Sequence, residues 1–257
     1  MRALVLDFTL EKYSEFCNAM ACYKIISVEE YLLNRPLSNY IILRHDVDRM
    51  PNNALRMAIF EKKQGLRSTY YFRYTPQTYN KNIIRNIANM GHEIGYHYET
   101  LSKSNGDYEK AIKMFQYELA EFRKIQNIKT VSMHGSPLSR YLNDKIWEKI
   151  SFDDYNLLGD GNLSISGIPY FTDTGRNWNN KNNLRDYIEV SPQKNIVENT
   201  DDLLNLISTK KLPSLYINTH PERWAKNIPE LCLSYSIDVF FNTGKYFIKH
   251  IRNQNKV

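Results

Sequence analysis

Five short stretches carry the side chains that can do chemistry. The first, RHDVDR at 44–49, holds two carboxylates two positions apart. Alternate side chains of a strand share a face, so Asp46 and Asp48 point the same way. Two like charges that close repel unless a cation or a proton lies between them, which suits a metal ligand beside a general base. The second, GHEIGYHYETL at 91–101, puts Glu93, Gly95, His97 and Glu99 on one face of a regular strand and His92 on the other. An imidazole with carboxylates is an ordinary ligand set for zinc and for other divalent metals. His134 closes a strand in VSMHGSP, Asp173 and Arg176 lie in YFTDTGRNW, and His220 ends the apolar run of LYINTHPERW. Each stretch alone also fits a plain turn, cap or surface ion pair. Together they point to a metal-assisted hydrolase.

Those residues need elements that bring them together. Helical spacing of apolar residues marks 9–21, a short second helix from SVEEYLL, then 52–64, Asn80–Met90, 107–125 and Thr200–Ser208. Apolar or β-branched runs mark strands at Tyr40–Asp46, Ser68–Tyr74, Glu93–Tyr98, Thr130–His134, near Leu163–Ile165, near Tyr170–Phe171 and at Leu215–Thr219. Strands alternating with helices imply βα units around a parallel sheet, and at 257 residues an α/β barrel is favoured over an open sheet. Five of the six histidines fall at or beside strands, His250 being the exception. Barrels of this kind build their sites at the C-terminal strand ends.

Composition narrows the classes. With 42% hydrophobic and 24% charged residues, the chain is ordinary for a globular protein, and one unit over 1–257 is expected, with its core at about 35–225. The net charge of +6 permits anionic partners, yet the bases are scattered and no nucleic-acid motif accompanies them, so no nucleic-acid partner is expected. Three cysteines without a CxxC pair suggest a reducing compartment. Asp7 and Glu11 interrupt the first apolar run, no signal peptide is read, and the cytoplasm is the expected address. No stretch reaches the length of a membrane span. The segment Val239–Arg252 mixes aromatics with bases: a last helix packed on the barrel is expected, with membrane-surface contact as the alternative. There is no GxSxG elbow, HExxH helix, GxxxxGK[ST] loop or GxGxxG fingerprint, which removes serine-nucleophile and common nucleotide-loop chemistry.

In order and spacing, RHDVD, GHEIGYHYETL, MHGSP and INTHP resemble the motifs of the polysaccharide deacetylases of carbohydrate esterase family 4, the NodB-homology domain. The resemblance covers roughly 35–225, GHEIG being its most specific piece, and it looks like a divergent branch met among genes for bacterial O-antigen and surface-polysaccharide synthesis. It implies a distorted (β/α)7 TIM-like barrel with an N-terminal helical extension. It also implies hydrolysis of an N-acetyl or O-acetyl group on a sugar or oligosaccharide, with N-acetyl favoured. Asp46 would be the catalytic base, Asp48 the aspartate ligand, His97 the first metal histidine and His220 the general acid. The implied cofactor is a divalent metal, zinc first.

The chain departs from that family at one position. The second metal histidine should fall at residue 101, which is Leu101. Glu99 and His134 are the two candidates to replace it. Asp173, Arg176 and Trp178 are expected to meet the substrate, since Arg pairs with anionic groups and Trp stacks on sugar faces. His45 has the wrong parity for ligation, and His92 is expected to be structural. Two other readings are a barrel that binds carbohydrate without cleaving it and a metal-dependent amidohydrolase acting on a small C–N substrate.

Overall fold

The computed structural model describes residues 6–179, 197–239 and 243. Its elements, in chain order, are α1 (Leu10–Met20), β1 (Lys24–Ile26), α2 (Val28–Asn34), β2 (Tyr40–Val47), α3 (Pro51–Lys63), β3 (Thr69–Phe72), α4 (Lys81–Asn89), β4 (Glu93–Tyr98), α5 (Thr100–Lys103), α6 (Tyr108–Arg123), β5 (Thr130–Met133), β6 (Gly159–Asp160), β7 (Tyr170–Thr172), α7 (Thr200–Ser208) and β8 (Ser214–Thr219). Residues 228–239 are also helical.

Strands β2 to β8 form one sheet in the order β6-β5-β4-β3-β2-β8-β7, and every ladder is parallel. No ladder among the described residues joins β6 to β7, so the sheet curls into a barrel open on that side. This is the distorted seven-strand α/β barrel expected. The short strand β1, absent from the sequence expectation, pairs with the first half of β2. One predicted strand moves: the segment near Leu163–Ile165 is not extended, and the strand lies at Gly159–Asp160 instead. The Asp160 carboxylate accepts from the backbone N–H of Asn162 and of Leu163, turning the chain before an extended run can continue.

The helices start where local chemistry says they should. Thr9, Asn80, Asp107 and Asn199 each accept a first-turn backbone N–H, and Asn199 forms a full capping box with Asp202. Helix α1 buries Leu10, Tyr13, Phe16, Cys17 and Met20, one stripe at helical spacing. It packs with α7 and Trp224 on the outer side of β2 and β8. This is the N-terminal helical extension, and it completes an outer core rather than standing apart. A second outer core lies between β2–β5 and α3, α4 and α6. Inside the barrel, Ile42, Tyr71, Tyr170 and Tyr216 join Ile26, Val28, Ile165 and Ile168 in a third apolar cluster.

Above that cluster the interior turns polar. Gly95, the last residue of GHEIG, leaves room for the Tyr71 ring, which would clash with any Cβ there. The strands thus carry Arg44, Asp46, His97 and Asn218 inward at their C-terminal ends, where the site lies. Of the predicted last helix, residues 240–242 and 244–252 lie outside the described residues.

Candidate active site

Asp46 leaves β2 held from two sides. Arg44, two residues earlier on the same face, grips it with both arms: Nε to Oδ1 at 2.8 Å and Nη2 to Oδ2 at 2.6 Å. Asn218 Nδ2 donates to Oδ2 at 3.0 Å. Arg44 is fully buried, lies 5.2 Å over the Tyr71 ring, and also donates to Asn162 and to the Tyr216 hydroxyl. Burial alone would raise the Asp46 pKa, but the Arg44 guanidinium and the His97 imidazole override it and hold the carboxyl far below its usual range. Asp46 is therefore an anion at every ordinary pH.

Asp48 stands next to two imidazoles. Its Oδ1 is 3.4 Å from His97 Nε2 and 3.5 Å from His134 Nε2, is buried, and has no hydrogen-bond partner. His97 Nδ1 lies 3.0 Å from the Ser132 carbonyl oxygen, which can only accept, so that nitrogen carries the proton and Nε2 presents its lone pair. His134 Nδ1 is likewise held by a Glu99 carboxylate oxygen at 3.0 Å. Asp48 Oδ1 thus faces both imidazole Nε2 atoms without a hydrogen bond to either.

Glu99 serves from behind. It receives Arg73 Nη2 on both oxygens at 2.9 and 2.8 Å and orients His134. The strand has ended by then: Glu99 has φ −145° and ψ 29°, so it leaves the face of His97. Of the two candidates to replace the missing histidine, the structure sets His134 beside Asp48 and puts Glu99 one shell out. Leu101 is buried in an apolar cluster on α5.

The electrostatics of this corner call for positive charge. Burial would lower the His134 pKa, yet Asp48 and Glu99 together raise it to about 9. Burial would raise Glu99, and His134 with Arg73 brings it down to about 2. Asp48 is lowered by the same imidazoles against the effect of burial. A proton on His134 is one way to supply the charge, and a divalent ion is the other.

No three His, Cys, Asp or Glu side chains among the described residues close into a finished metal cage. In chemistry, however, the donor set fits a divalent ion. One carboxylate and two imidazole Nε2 atoms, each imidazole backed at Nδ1 by a carbonyl or carboxylate, follow the usual pattern of a histidine metal site. Bonds of about 2.0–2.1 Å at a tetrahedral angle separate donor atoms by roughly 3.3–3.4 Å. The two Asp48–imidazole spacings are close to that.

His220 faces the site from β8. Its Nδ1 is 2.6 Å from Asp173 Oδ1, and its backbone N–H also donates to that carboxylate. Asp173 is fully buried and further receives Arg223 Nη1 at 2.7 Å and Trp224 Nε1 at 3.0 Å. Burial and Arg223 pull the His220 pKa down, but Asp173 wins and raises it.

The three residues expected to meet substrate each have protein partners here. Asp173 spends its oxygens on His220, Arg223 and Trp224. Arg176 is bound to Asp238 at 2.7 Å, to the Arg223 carbonyl and to the Ser234 hydroxyl. Trp178 is 2% exposed, packs in the outer core near Phe16, and donates Nε1 to Thr200 at 3.0 Å. The partners that claim them come from distant positions. Of the residues overlooked, Arg73 and Asn218 were open to detection, since they share strand parity with Tyr71 and with Tyr216. Arg223 carries no such signal.

Comparison with known proteins gives little more. No protein-family model matches the chain, and no curated protein matches it. Among solved structures it is similar to wild-type BA3943, a carbohydrate esterase family 4 pseudoenzyme from Bacillus anthracis, at 16% identity and a TM-score of 0.42. A mutant of BA3943 aligns at 14% identity and a TM-score of 0.43 over 82% of this chain, which spans 64% of that structure's length. A family 4 carbohydrate esterase from Bacillus anthracis aligns at 11% identity and a TM-score of 0.42, over 89% of this chain and 86% of its own. Likeness this faint carries no argument, so the chemistry is read from this chain's own side chains. No helix among the described residues is long and apolar enough to cross a membrane.

Proposed function

We propose that this chain is a metal-dependent deacetylase that removes an acetyl group, N-acetyl in preference to O-acetyl, from a sugar used in surface-polysaccharide synthesis. The observation that carries the reading is Asp48 Oδ1, buried without a hydrogen-bond partner and facing the Nε2 atoms of His97 and His134. Those three would hold a divalent ion, zinc first, and such an ion would polarise a carbonyl and acidify a water. Asp46, fixed by Arg44 and Asn218, is the acceptor for the proton of the attacking water. His220, its Nδ1–H anchored on Asp173, presents Nε2 as the proton donor to the leaving group. The raised pKa of His220 suits an amine, which leaves poorly unless protonated, and this favours an amide over an ester.

One observation favours a second reading, the barrel that binds carbohydrate without cleaving it. The double grip of Arg44 depresses the basicity of Asp46, and a weak base is a poor catalyst. One experiment separates the two. Protein purified without chelators is analysed for metal and assayed for acetate released from N-acetylated sugars, beside Asp46→Asn. Metal with acetate release that Asp46→Asn abolishes supports the deacetylase; protein without metal that releases no acetate from any acetylated sugar selects the binding barrel.

A further inference from the structure

Nine carboxyls are classed as buried among the described residues: Asp46, Glu61, Glu93, Glu99, Glu118, Asp160, Asp173, Glu222 and Asp238. Eight of them are hydrogen-bonded, as Glu61 is by Tyr13, Ser68 and Tyr70, and Asp238 by Arg49 and Arg176. Glu222 is the exception. It is 2% exposed, and neither of its oxygens has a hydrogen-bond partner. Its nearest cation, Arg49 Nη2, is 3.6 Å from Oε1, beyond hydrogen-bond reach, while that same nitrogen binds Asp238 at 2.9 Å. A buried polar group left this way is costly, and such groups need an explanation.

Its position supplies one. Glu222 sits in the 3-10 turn Pro221–Arg223, directly after His220. The turn is pinned, because Ser234 Oγ donates to the Glu222 carbonyl and the Arg223 N–H to that of His220. The groups that act on Glu222 most strongly are Asp48, Arg49, His220 and Arg223, and Arg73 feels it in turn. The carboxyl is therefore grouped with the strand-end residues of the site. Three guanidiniums and an imidazole, set against the one carboxylate of Asp48, disfavour a cationic ligand. They leave neutral hydrogen-bond donors as the match for two acceptor oxygens that have no partner in the fold.

We propose that Glu222 is a substrate-binding residue whose two carboxyl oxygens accept hydrogen bonds from adjacent hydroxyls of a neutral pyranose. This rests on the sugar-deacetylase reading for its substrate class, and it adds a residue that selects the sugar rather than attacks the acetyl group. A carboxylate facing two neighbouring O–H groups makes charge-assisted bonds to both, which a ligand lacking them cannot replace.

The test is titration of tri-N-acetylchitotriose and N-acetyl-D-glucosamine into the whole protein, Glu222→Gln and Glu222→Leu, followed by calorimetry or ligand-observed NMR. Melting curves are measured alongside. We expect Glu222→Gln to weaken sugar binding about tenfold, the loss of roughly one charged hydrogen bond, and Glu222→Leu to weaken it further. Melting temperature should hold or rise in both variants. Equal sugar affinity in parent and variants, no sugar binding by the parent, or a lower melting temperature in both variants overturns the proposal. The last of these would make Glu222 a structural counter-ion of Arg49. Acetate release with an unchanged KM in Glu222→Gln would sink this inference and leave the deacetylase standing. Sugar binding through Glu222 without acetate release would do the reverse.

Discussion

His134 Nε2 stands 3.5 Å from Asp48 Oδ1 with no hydrogen bond between them, although the Asp48 oxygen is enclosed by protein. A buried carboxylate oxygen left without a hydrogen bond beside an imidazole nitrogen is a poor resting arrangement for a fold, and a good one for a cation held between them. If that is the purpose of the pair, Asp48→Ala and His134→Ala each reduce bound divalent metal from about one per chain to background. Asp46→Asn, which touches neither imidazole within hydrogen-bond distance, keeps the metal. Elemental analysis of the three purified variants decides it. Stoichiometric metal in both Asp48→Ala and His134→Ala would remove the proposed site.

Glu99 acts through His134, and its loss should show that. In Glu99→Gln the His134 Nδ1–H keeps an amide oxygen to donate to, but the negative charge that makes the imidazole a strong ligand is gone. Outer partners of this kind are typically worth 10- to 100-fold in metal affinity. Competition with a chromophoric chelator should find affinity reduced by about that range. A role as a direct ligand predicts a loss as complete as that of Asp48→Ala, and this is the outcome that would reverse the assignment.

Asp173 should behave as a positioning residue. Asp173→Asn leaves a group of the same size beside His220, but it removes the charge that raises the imidazole pKa and fixes its Nδ1 proton. Acetate release should fall by about 10²–10⁴ through kcat, with metal content unchanged. The acid limb of the kcat/KM profile belongs to other groups. The alkaline limb, set by deprotonation of His220, should move to lower pH in any residual activity. An unmoved alkaline limb would separate His220 from the acid role.

These assignments show how far residue order alone reaches. Asp46, Asp48, His97, His134 and His220 could be placed because strand parity and strand ends are local properties, carried by apolar alternation a few residues long. Glu99 could not be placed by parity, because the chain leaves extended geometry one residue after Tyr98. Residue order places Arg176 and Trp178 at the substrate, since nothing near them in sequence reveals that Asp238 and Thr200 occupy their polar atoms. The strand at Gly159–Asp160 was displaced by a side-chain-to-backbone turn at Asp160, which competes with extension without disturbing the apolar pattern around it. Local periodicity is readable, whereas pairing with residues 22 to 62 positions away is not.

Behind the site, on the outer side of β2, Glu61 is fully buried between Tyr13, Ser68, Tyr70, His45 and His92. Burial would raise its pKa, but the His45 and His92 imidazoles and these hydrogen bonds bring it down from 4.5 to about 2. A carboxyl lowered on folding stabilises the fold fully above its unfolded value and loses that contribution as pH falls toward the folded one. The window is therefore pH 4.5 down to about 2. The contribution is on the order of 3 kcal/mol. Urea unfolding at a series of pH values should show stability falling steeply through this window in the parent protein and less steeply in Glu61→Gln. Identical slopes would show that Glu61 is not lowered on folding.

The position where the family resemblance fails, Leu101, gives the sharpest test of how this site is built. A histidine there would restore the expected motif, and motif reasoning alone predicts a stronger metal site. The structure predicts otherwise. Leu101 is 2% exposed on α5, inside the apolar cluster that includes Phe115 and Ile146, and it is His134 that stands beside Asp48. Leu101→His removes a buried aliphatic side chain and puts a polar ring among apolar neighbours, costing about 2–4 kcal/mol. For a chain of this size that is a fall in melting temperature of roughly 5–15 °C. Metal content should stay at one ion per chain with no gain in affinity, since His134 keeps its place beside Asp48. The double variant Leu101→His with His134→Ala should remain without metal. Recovery of metal binding in that double variant would mean that residue 101 can reach the site, and that His134 is a substitute the fold could do without.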